Sequence, residues 1–477
     1  MEHIASPSGF HWDTLPAEIR LMILETATER KYPGCKWSFL ASVCKEWQLM
    51  VEKRNFERLN LRESCMKDFG RIIQRQRELV RHICFNVESP DRCLSCGIPG
   101  CRRASSITFA IGLHNLFGIL STWSLSKGLT LELNTYAPSS VYRVREDDIK
   151  LWGERRGIEE ENPWDHFRRP SVGRRSDSHL KYSLESLPTV ESVTCFIIPR
   201  QLRRDLWIEN MWQILSTLPC LEHLIYEPWQ ASTRYKVKIR DDLLQHYLNT
   251  ETFPVALRKV SVFEESGDEI SGRTRGLPES EKRAADRRLA ERQLAAAFAS
   301  RSLTPDELSL SYIIDAQDFF KTCQPTWTWQ SLESLSLTSK QLRFTVDRKD
   351  LDKLLLEAGK TALCMPKLKT LVLWSGENDA CAFIYQTRND HASITWRGTW
   401  GMEFSPAVVD LWRRVAFEGH SRHALRVNRE NIDAIIQCRG DAIHHLELPC
   451  EVVSPASLRH MRKESGSNSA GMGLVQT

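Results

Sequence analysis

Apolar residues near the start of the chain recur at helical spacing. Leu15, Ile19, Met22 and Ile23 fall at i, i+4, i+7 and i+8, the interval that lines one face of a helix. Leu15-Pro16 marks its start, because a proline at the first helical position lacks only an N–H that had no partner there. Asp13 and Glu18 place negative charge near that positive helix end. After a Tyr-Pro-Gly break at residues 32–34, Trp37, Leu40, Cys44, Trp47 and Val51 share a second helical face, with Val43 beside it. Two short helices with this much apolar surface cannot bury it in each other, so the surplus needs the rest of the chain or another protein.

From Val80 the period changes to apolar-x-x-apolar-x-apolar. It recurs at Val80/Ile83/Phe85, Val190/Val193/Cys195, Leu221/Leu224/Tyr226, Leu257/Val260/Val262, Leu332/Leu335/Leu337, Leu368/Leu371/Leu373 and Ile443/Leu446/Leu448. The pattern predicts strands whose alternate side chains enter a shared core. Pro188, Pro219 and Pro366 each stand two residues before the first apolar position, where proline ends a helix and sets an extended entry. Between the strands lie predicted helices at 205–218, 241–248, 315–323, 347–363, 406–417 and 429–438, several of them opening on Asp, a preferred N-cap. Residues 107–125 predict a further, buried helix. Right-handed strand-helix-strand units would put the strands in parallel on one side and the helices on the other.

The stretch Trp12 to Leu61 resembles an F-box. The resemblance is carried by Leu15-Pro16-Ala17-Glu18-Ile19, Ile23-Leu24, Leu40, Val43-Cys44-Lys45-Glu46-Trp47 and Phe56-Glu57-Arg58-Leu59. It implies that residues 10–62 dock the Skp-family adaptor of a cullin–RING ubiquitin ligase through Leu15, Pro16, Ile19, Met22, Ile23, Leu40, Val43, Cys44 and Trp47, packing partly on a third helix of their own. The strand phase resembles the inner strand of a leucine-rich repeat. The expected fold is therefore α/β, a helical F-box followed over 63–462 by an irregular leucine-rich-repeat-like solenoid. Charged insertions are expected at 143–181 and 264–301, with Leu289, Leu294 and Phe298 as the apolar stripe of a helix in the second. An ordinary α/β domain with parallel strands, capped by an amphipathic hairpin, is the alternative. From about Trp327 to Arg459 the chain resembles an uncharacterised domain found after F-boxes in filamentous fungi, on Trp327-Thr-Trp329, Met365-Pro-Lys-Leu, Ile394-Thr-Trp396 and Gly440-Asp-Ala-Ile. No activity comes with that resemblance.

Composition narrows the function. The chain has 477 residues, 41% hydrophobic and 26% charged, as globular chains do, and this length points to two or more units or a repeat array. Its 65 basic and 61 acidic residues leave a net charge of +4, which gives no reason to expect a nucleic-acid or membrane partner. Glu2 and His3 stand where a signal peptide would be basic and then apolar, so a cytoplasmic or nuclear location is expected. The 14 cysteines are then reduced thiols. Among them Cys93 and Cys96, followed by Cys101, form half of a zinc knuckle, a weak metal candidate because no paired fourth ligand follows. The 15 tryptophans read mainly as core residues. The polar stretch 463–477 reads as a disordered tail.

No phosphate-binding Gly-rich loop, Gly-x-Ser-x-Gly elbow or His-Glu-x-x-His helix occurs. His444-His445 would sit in a strand, one ring inward and one outward, and Asp390-His391 has no nucleophile nearby. The sequence thus predicts no enzyme and no cofactor. It predicts an interaction protein, a substrate-recognition subunit whose outward strand residues Glu222, Glu333, Ser336, Lys369 and Glu447 line a target surface. A scaffold acting outside degradation, or an unfamiliar α/β enzyme with a structural N-terminal hairpin, are the alternatives.

Overall fold

The computed structural model describes residues 12–28, 37–88, 102–124, 127–136, 186–200, 208–229, 254–265, 281–377, 379–388, 390–419 and 424–472, with isolated positions at 184, 202, 241, 244–246 and 248–249. Among the described residues twelve strands form one open sheet in unbroken chain order. They are β1 (Arg58–Arg62), β2 (His82–Glu88), β3 (Leu129–Tyr136), β4 (Val193–Ile198), β5 (His223–Tyr226), β6 (Lys259–Phe263), β7 (Glu307–Ser311), β8 (Ser334–Thr338), β9 (Thr370–Ser375), β10 (Cys381–Thr387), β11 (Ala392–Gly398) and β12 (Leu425–Asn431). β1 to β9 are parallel. β10 runs antiparallel to both β9 and β11, and β12 returns to parallel pairing on β11.

The helices are α1 (Ala17–Thr28), α2 (Lys45–Glu57), α3 (Met66–Ile72), α4 (Arg102–Leu120), α5 (Ile208–Ser216), α6 (Glu281–Arg301), α7 (Ala316–Thr322), α8 (Arg348–Ala362), α9 (Pro406–Arg414), α10 (Arg439–Leu446) and α11 (Pro455–Met472). Helices α4 to α9 cover one face of the sheet. There one apolar core joins strand residues such as Ile83, Leu131, Phe196, Leu335 and Leu371 to Phe117, Ile214, Phe298, Phe319, Leu354 and Trp412. The first residue of six of the seven predicted repeats is part of that core, with Val80, Val190, Leu221, Leu257, Leu332 and Leu368 all buried. Local chemistry fixes the helix starts as the sequence implies. Asp315 accepts the Gln317 N–H at 2.8 Å, Asp347 accepts the Lys349 N–H at 3.0 Å, and Ser405 precedes Pro406 at the head of α9.

Helices α10 and α11 lie on the other face. A second core forms there from Phe263, Val372, Trp374, Ala382 and Ile384 of the strands with Ala442, Ile443, Leu446, Val452, Val453 and Met461. Gly440 allows the two helices to approach closely, since a Cβ at that position would stand 2.8 Å from the Cβ of Met461.

Several expectations are corrected. Ile443 and Leu446 stand on α10 rather than a strand, because a spacing of three also fits one side of a helix, and Leu448 follows Glu447, the left-handed cap with φ 43°. His444 and His445 therefore stand on α10. Residues 429–438, expected as a helix, open with strand β12. Phe56 to Leu59 ends α2 and enters β1, so no third helix follows within the F-box-like stretch. The sheet is not parallel throughout. Leu289 is exposed, and the buried stripe of α6 is Ala290, Leu294, Ala297 and Phe298. The polar stretch from Lys463, expected as a disordered tail, is helical to Met472 within α11. The 143–181 insertion and Cys93, Cys96 and Cys101 lie outside the described residues.

Candidate interaction surface

Contacts around Glu46 tie the N-terminal helical unit together. Trp12 donates from Nε1 to Glu46 at 2.8 Å, Arg20 bonds the same carboxylate at 3.2 Å, and the Trp12 ring packs 5.4 Å from Trp47. The Trp12 hydrogen bond and the Arg20 guanidinium hold the Glu46 carboxyl below its ordinary range, against the desolvation that opposes them. Helix α2 reaches the body through Val51, which is fully buried. In α1 only Leu24 is buried and Arg20 half-buried. A 12-residue helix is marginal on its own, so so narrow a seam leaves most of its stabilising surface unused.

That surface is apolar. Ile19, Leu21, Met22, Ile23, Phe39, Val43 and Leu49 are seven of the fifteen large hydrophobic side chains exposed among the described residues, all within 31 positions. Met22 is 61% exposed, Val43 60% and Phe39 65%. Of the residues implicated from sequence, Pro16, Ile19, Met22, Ile23, Val43 and Cys44 are exposed, while Leu15, Leu40 and Trp47 are half-buried. Single exposed hydrophobics are unremarkable, whereas these seven are concentrated in one short stretch. Phe39, Leu21 and Leu49 carry no signal in the sequence because they fall off the helical spacings of the other apolar residues.

Of the residues predicted to line a target surface, Glu222, Glu333 and Lys369 stand in one row where β5, β8 and β9 begin, and Ser336 and Glu447 do not join them. Ser336 is 1% exposed, and Cys450 from the C-terminal segment lies against it. Glu447 is on a helix cap, and Lys369 bonds Glu333 at 2.6 Å. Glu222 is exposed just before β5. The physical reason is that α10 and α11 cover the outward residues of β6, β9 and β10, including Trp374 and Ile384.

Charge concentrates where these helices meet the C-terminal ends of the parallel strands, the position at which open α/β sheets commonly bind ligands. Here the chain fills it. The Glu227 carboxylate accepts the Ser454 N–H at 2.6 Å, the Arg200 N–H at 3.1 Å and the Ser457 hydroxyl, capping the start of α11. Burial pushes the Glu227 carboxyl up, against those three hydrogen bonds. Arg200 pairs with Glu265 at 3.2 Å and lies 2.9 Å from His460 Nδ1, which must accept. Arg439 stacks 3.6 Å over Tyr312, a residue held at φ 63° by its ring contacts and by donation of its N–H to Thr338 at 2.7 Å.

Towards the N-terminal end the same sheet face is polar. Arg58, His82 and Thr130 form one row across β1 to β3, and Asn60, Cys84 and Glu132 form the next. Buried Glu132 bonds His82 at 2.8 Å and lies 3.5 Å from Arg58. Burial would raise its carboxyl, but His82 and Arg58 hold it below the ordinary range; burial beside Glu132 pushes the Cys84 thiol up to about 12. Among the described residues no group of three or more His, Cys, Asp or Glu side chains could hold a metal ion, and no helix is long and apolar enough to cross a membrane.

A cavity of about 320 Å³ lies between β5 to β7 and helices α5 and α6, lined by Trp212, Leu224, Leu248, Val260, Phe298 and Leu308, with Arg301 at its side. Sealed and empty, it would cost on the order of 8 kcal/mol at ~24 cal/mol per Å³. Exposed Val255 and Thr304 on its lining show that it reaches the surface.

Residues 252–454, under half of the chain, match the model of a family described as "Family of unknown function (DUF6546)". The match supports the C-terminal domain of unknown function and sets its start upstream of Trp327. No F-box or leucine-rich-repeat family model is detected. No curated protein and no solved structure matches the chain.

Proposed function

We propose that the protein is a substrate-recognition subunit of a cullin–RING ubiquitin ligase that docks a Skp-family adaptor through α1, the 3-10 turn at Trp37–Ser42 and the start of α2. The observation that carries this reading is the exposed apolar set Ile19, Met22, Ile23, Phe39 and Val43 on the N-terminal helical unit. The Leu-Pro start and the Val43 to Trp47 segment fit that role by their resemblance to an F-box. The chain-ordered parallel strands are consistent with an irregular leucine-rich-repeat-like solenoid behind it. Catalysis belongs to other subunits in this reading, and this chain supplies proximity and orientation. With the second sheet face covered from β6 to β10, the target surface moves to the polar rows of β1 to β3, where Arg58 and Asn60 are exposed.

Binding of the purified chain to a purified Skp-family adaptor tests the proposal. Wild type should co-elute with the adaptor, and Ile19→Asp/Met22→Asp should not, with far-UV circular dichroism unchanged. Failure of the wild type to bind sinks the adaptor assignment. Adaptor binding without recruitment of cullin would instead favour a scaffold.

A further inference from the structure

Strand β12 ends the sheet. It pairs with β11 along one edge, and no strand of the described residues pairs with the other. Every residue from Arg426 to Asn431 is exposed. An open edge of seven residues presents unpaired main-chain N–H and C=O groups, which proteins usually guard with charge. The charges of Leu425-Arg-Val-Asn-Arg-Glu-Asn431 are placed in a self-complementary way. Reversed about Asn428, the segment sets Arg426 opposite Glu430, Val427 opposite Arg429 and Leu425 opposite Asn431. Directly opposed residues of an antiparallel pair share a face and lie close enough to interact.

We propose that β12 is the interface at which a second copy of this chain pairs antiparallel, with Asn428 on the two-fold axis. Arg426 then meets Glu430 of the partner subunit, and the same pair forms again by symmetry. A parallel pairing in register would set Arg426 against Arg426 and is disfavoured. Neighbouring groups hold both charges at the edge. Arg397 bonds Glu430 at 2.5 Å, and Asp390 lies 3.8 Å from Arg426. A carboxylate with several acceptor sites can take a second guanidinium beside the first. Val427 adds an exposed apolar side chain within the edge. Strand β1 stands at the opposite end of the sheet, eleven spacings of ~4.8 Å away. Pairing at β12 therefore leaves the N-terminal helical units at the outer ends of the assembly. The proposal is independent of what those units bind.

Size-exclusion chromatography with light scattering on the full chain tests it. Wild type should be a dimer at micromolar concentration. Arg426→Glu alone and Glu430→Arg alone should each weaken the dimer at least tenfold, because each opposes like charges twice. An equimolar mixture of the two variants should regain a dimer, since the reversed charges complement one another across a mixed pair. Should Glu430→Arg unfold through loss of its bond to Arg397, Val427→Lys replaces it. That variant keeps both ion pairs, opposes Arg429 of the partner subunit, and should also be monomeric. A wild type monomeric at about 100 µM, single variants that stay dimeric, or, with both reversals folded, a mixture that fails to recombine would each overturn the proposal.

Discussion

Glu227, the residue after β5, accepts the backbone N–H of Ser454 at 2.6 Å, joining the middle of the sheet to the start of the last helix. Glu227→Ala strands the Ser454 and Arg200 amides in a buried site and should destabilise the protein by ~2–4 kcal/mol in urea titrations. The Glu227 carboxyl is raised in the folded state. Keeping it ionised therefore costs stability as pH climbs from the ordinary carboxylate value through the raised one. The gap between wild type and Glu227→Ala should widen on mild acidification, and a constant gap would show that the group does not titrate as its burial implies.

Glu132 is the opposite case. Its carboxyl is depressed, so the stability it contributes is complete at neutral pH and is lost as pH falls through the lowered value. His82→Ala should cost ~1–2 kcal/mol near neutral pH and progressively less in acid, measured by denaturant titration across that range.

The two sides of α1 should respond differently. Leu24→Ala removes its buried seam and should cost ~2–3 kcal/mol. Ile19→Asp and Met22→Asp alter exposed positions and should stay within ~0.5 kcal/mol of wild type. Comparable losses at all three would mean that the apolar set is buried in solution.

Thiol reactivity should follow exposure. Cys44, Cys65 and Cys220 are exposed, whereas Cys381 is fully buried and its thiol pushed up by burial. Mass spectrometry after brief alkylation of the native protein should find the first three modified and Cys381 intact. Early modification of Cys381 would contradict the packing of β10.

A single methyl group at Gly440 should separate α10 from α11. Gly440→Ala places a Cβ against Met461 and the Arg462 backbone, and should lower stability by ~1–3 kcal/mol, seen as a reduced melting temperature. An unchanged melt would show that the two helices can slide apart freely.

Much of the sheet was legible because its phase is simple. Six of the seven apolar-x-x-apolar-x-apolar segments are strands, and the leading residue of each is buried where helix meets sheet. Two of the omissions share a cause. β3 and β7 alternate cleanly at Leu129/Leu131/Leu133 and Leu308/Leu310, but Ser126 and Pro305 occupy the leading position where the pattern requires an apolar residue. β1 continues directly from α2 and was absorbed into the preceding helical period. The cover over the second face was illegible for another reason. Val372, Trp374, Ala382 and Ile384 read as ordinary strand residues, and nothing local shows that helices beyond residue 438 return to bury them. The exposed apolar set was legible in its helical members, Ile19, Met22 and Ile23, and Val43 was placed beside the second helix. Phe39 needs the turn geometry of Trp37–Ser42, which spacing alone does not supply.

The return of α10 and α11 sets an order on biosynthesis. Strands β1 to β5 can zip to their neighbours as they leave the ribosome, since each pairs with the one just made. The oily patch of Phe263, Trp374 and Ile384 has no such option and stays bare until Val453 and Met461 emerge. During that interval the nascent chain is at its most vulnerable to clumping, and chaperone capture would be timed to it.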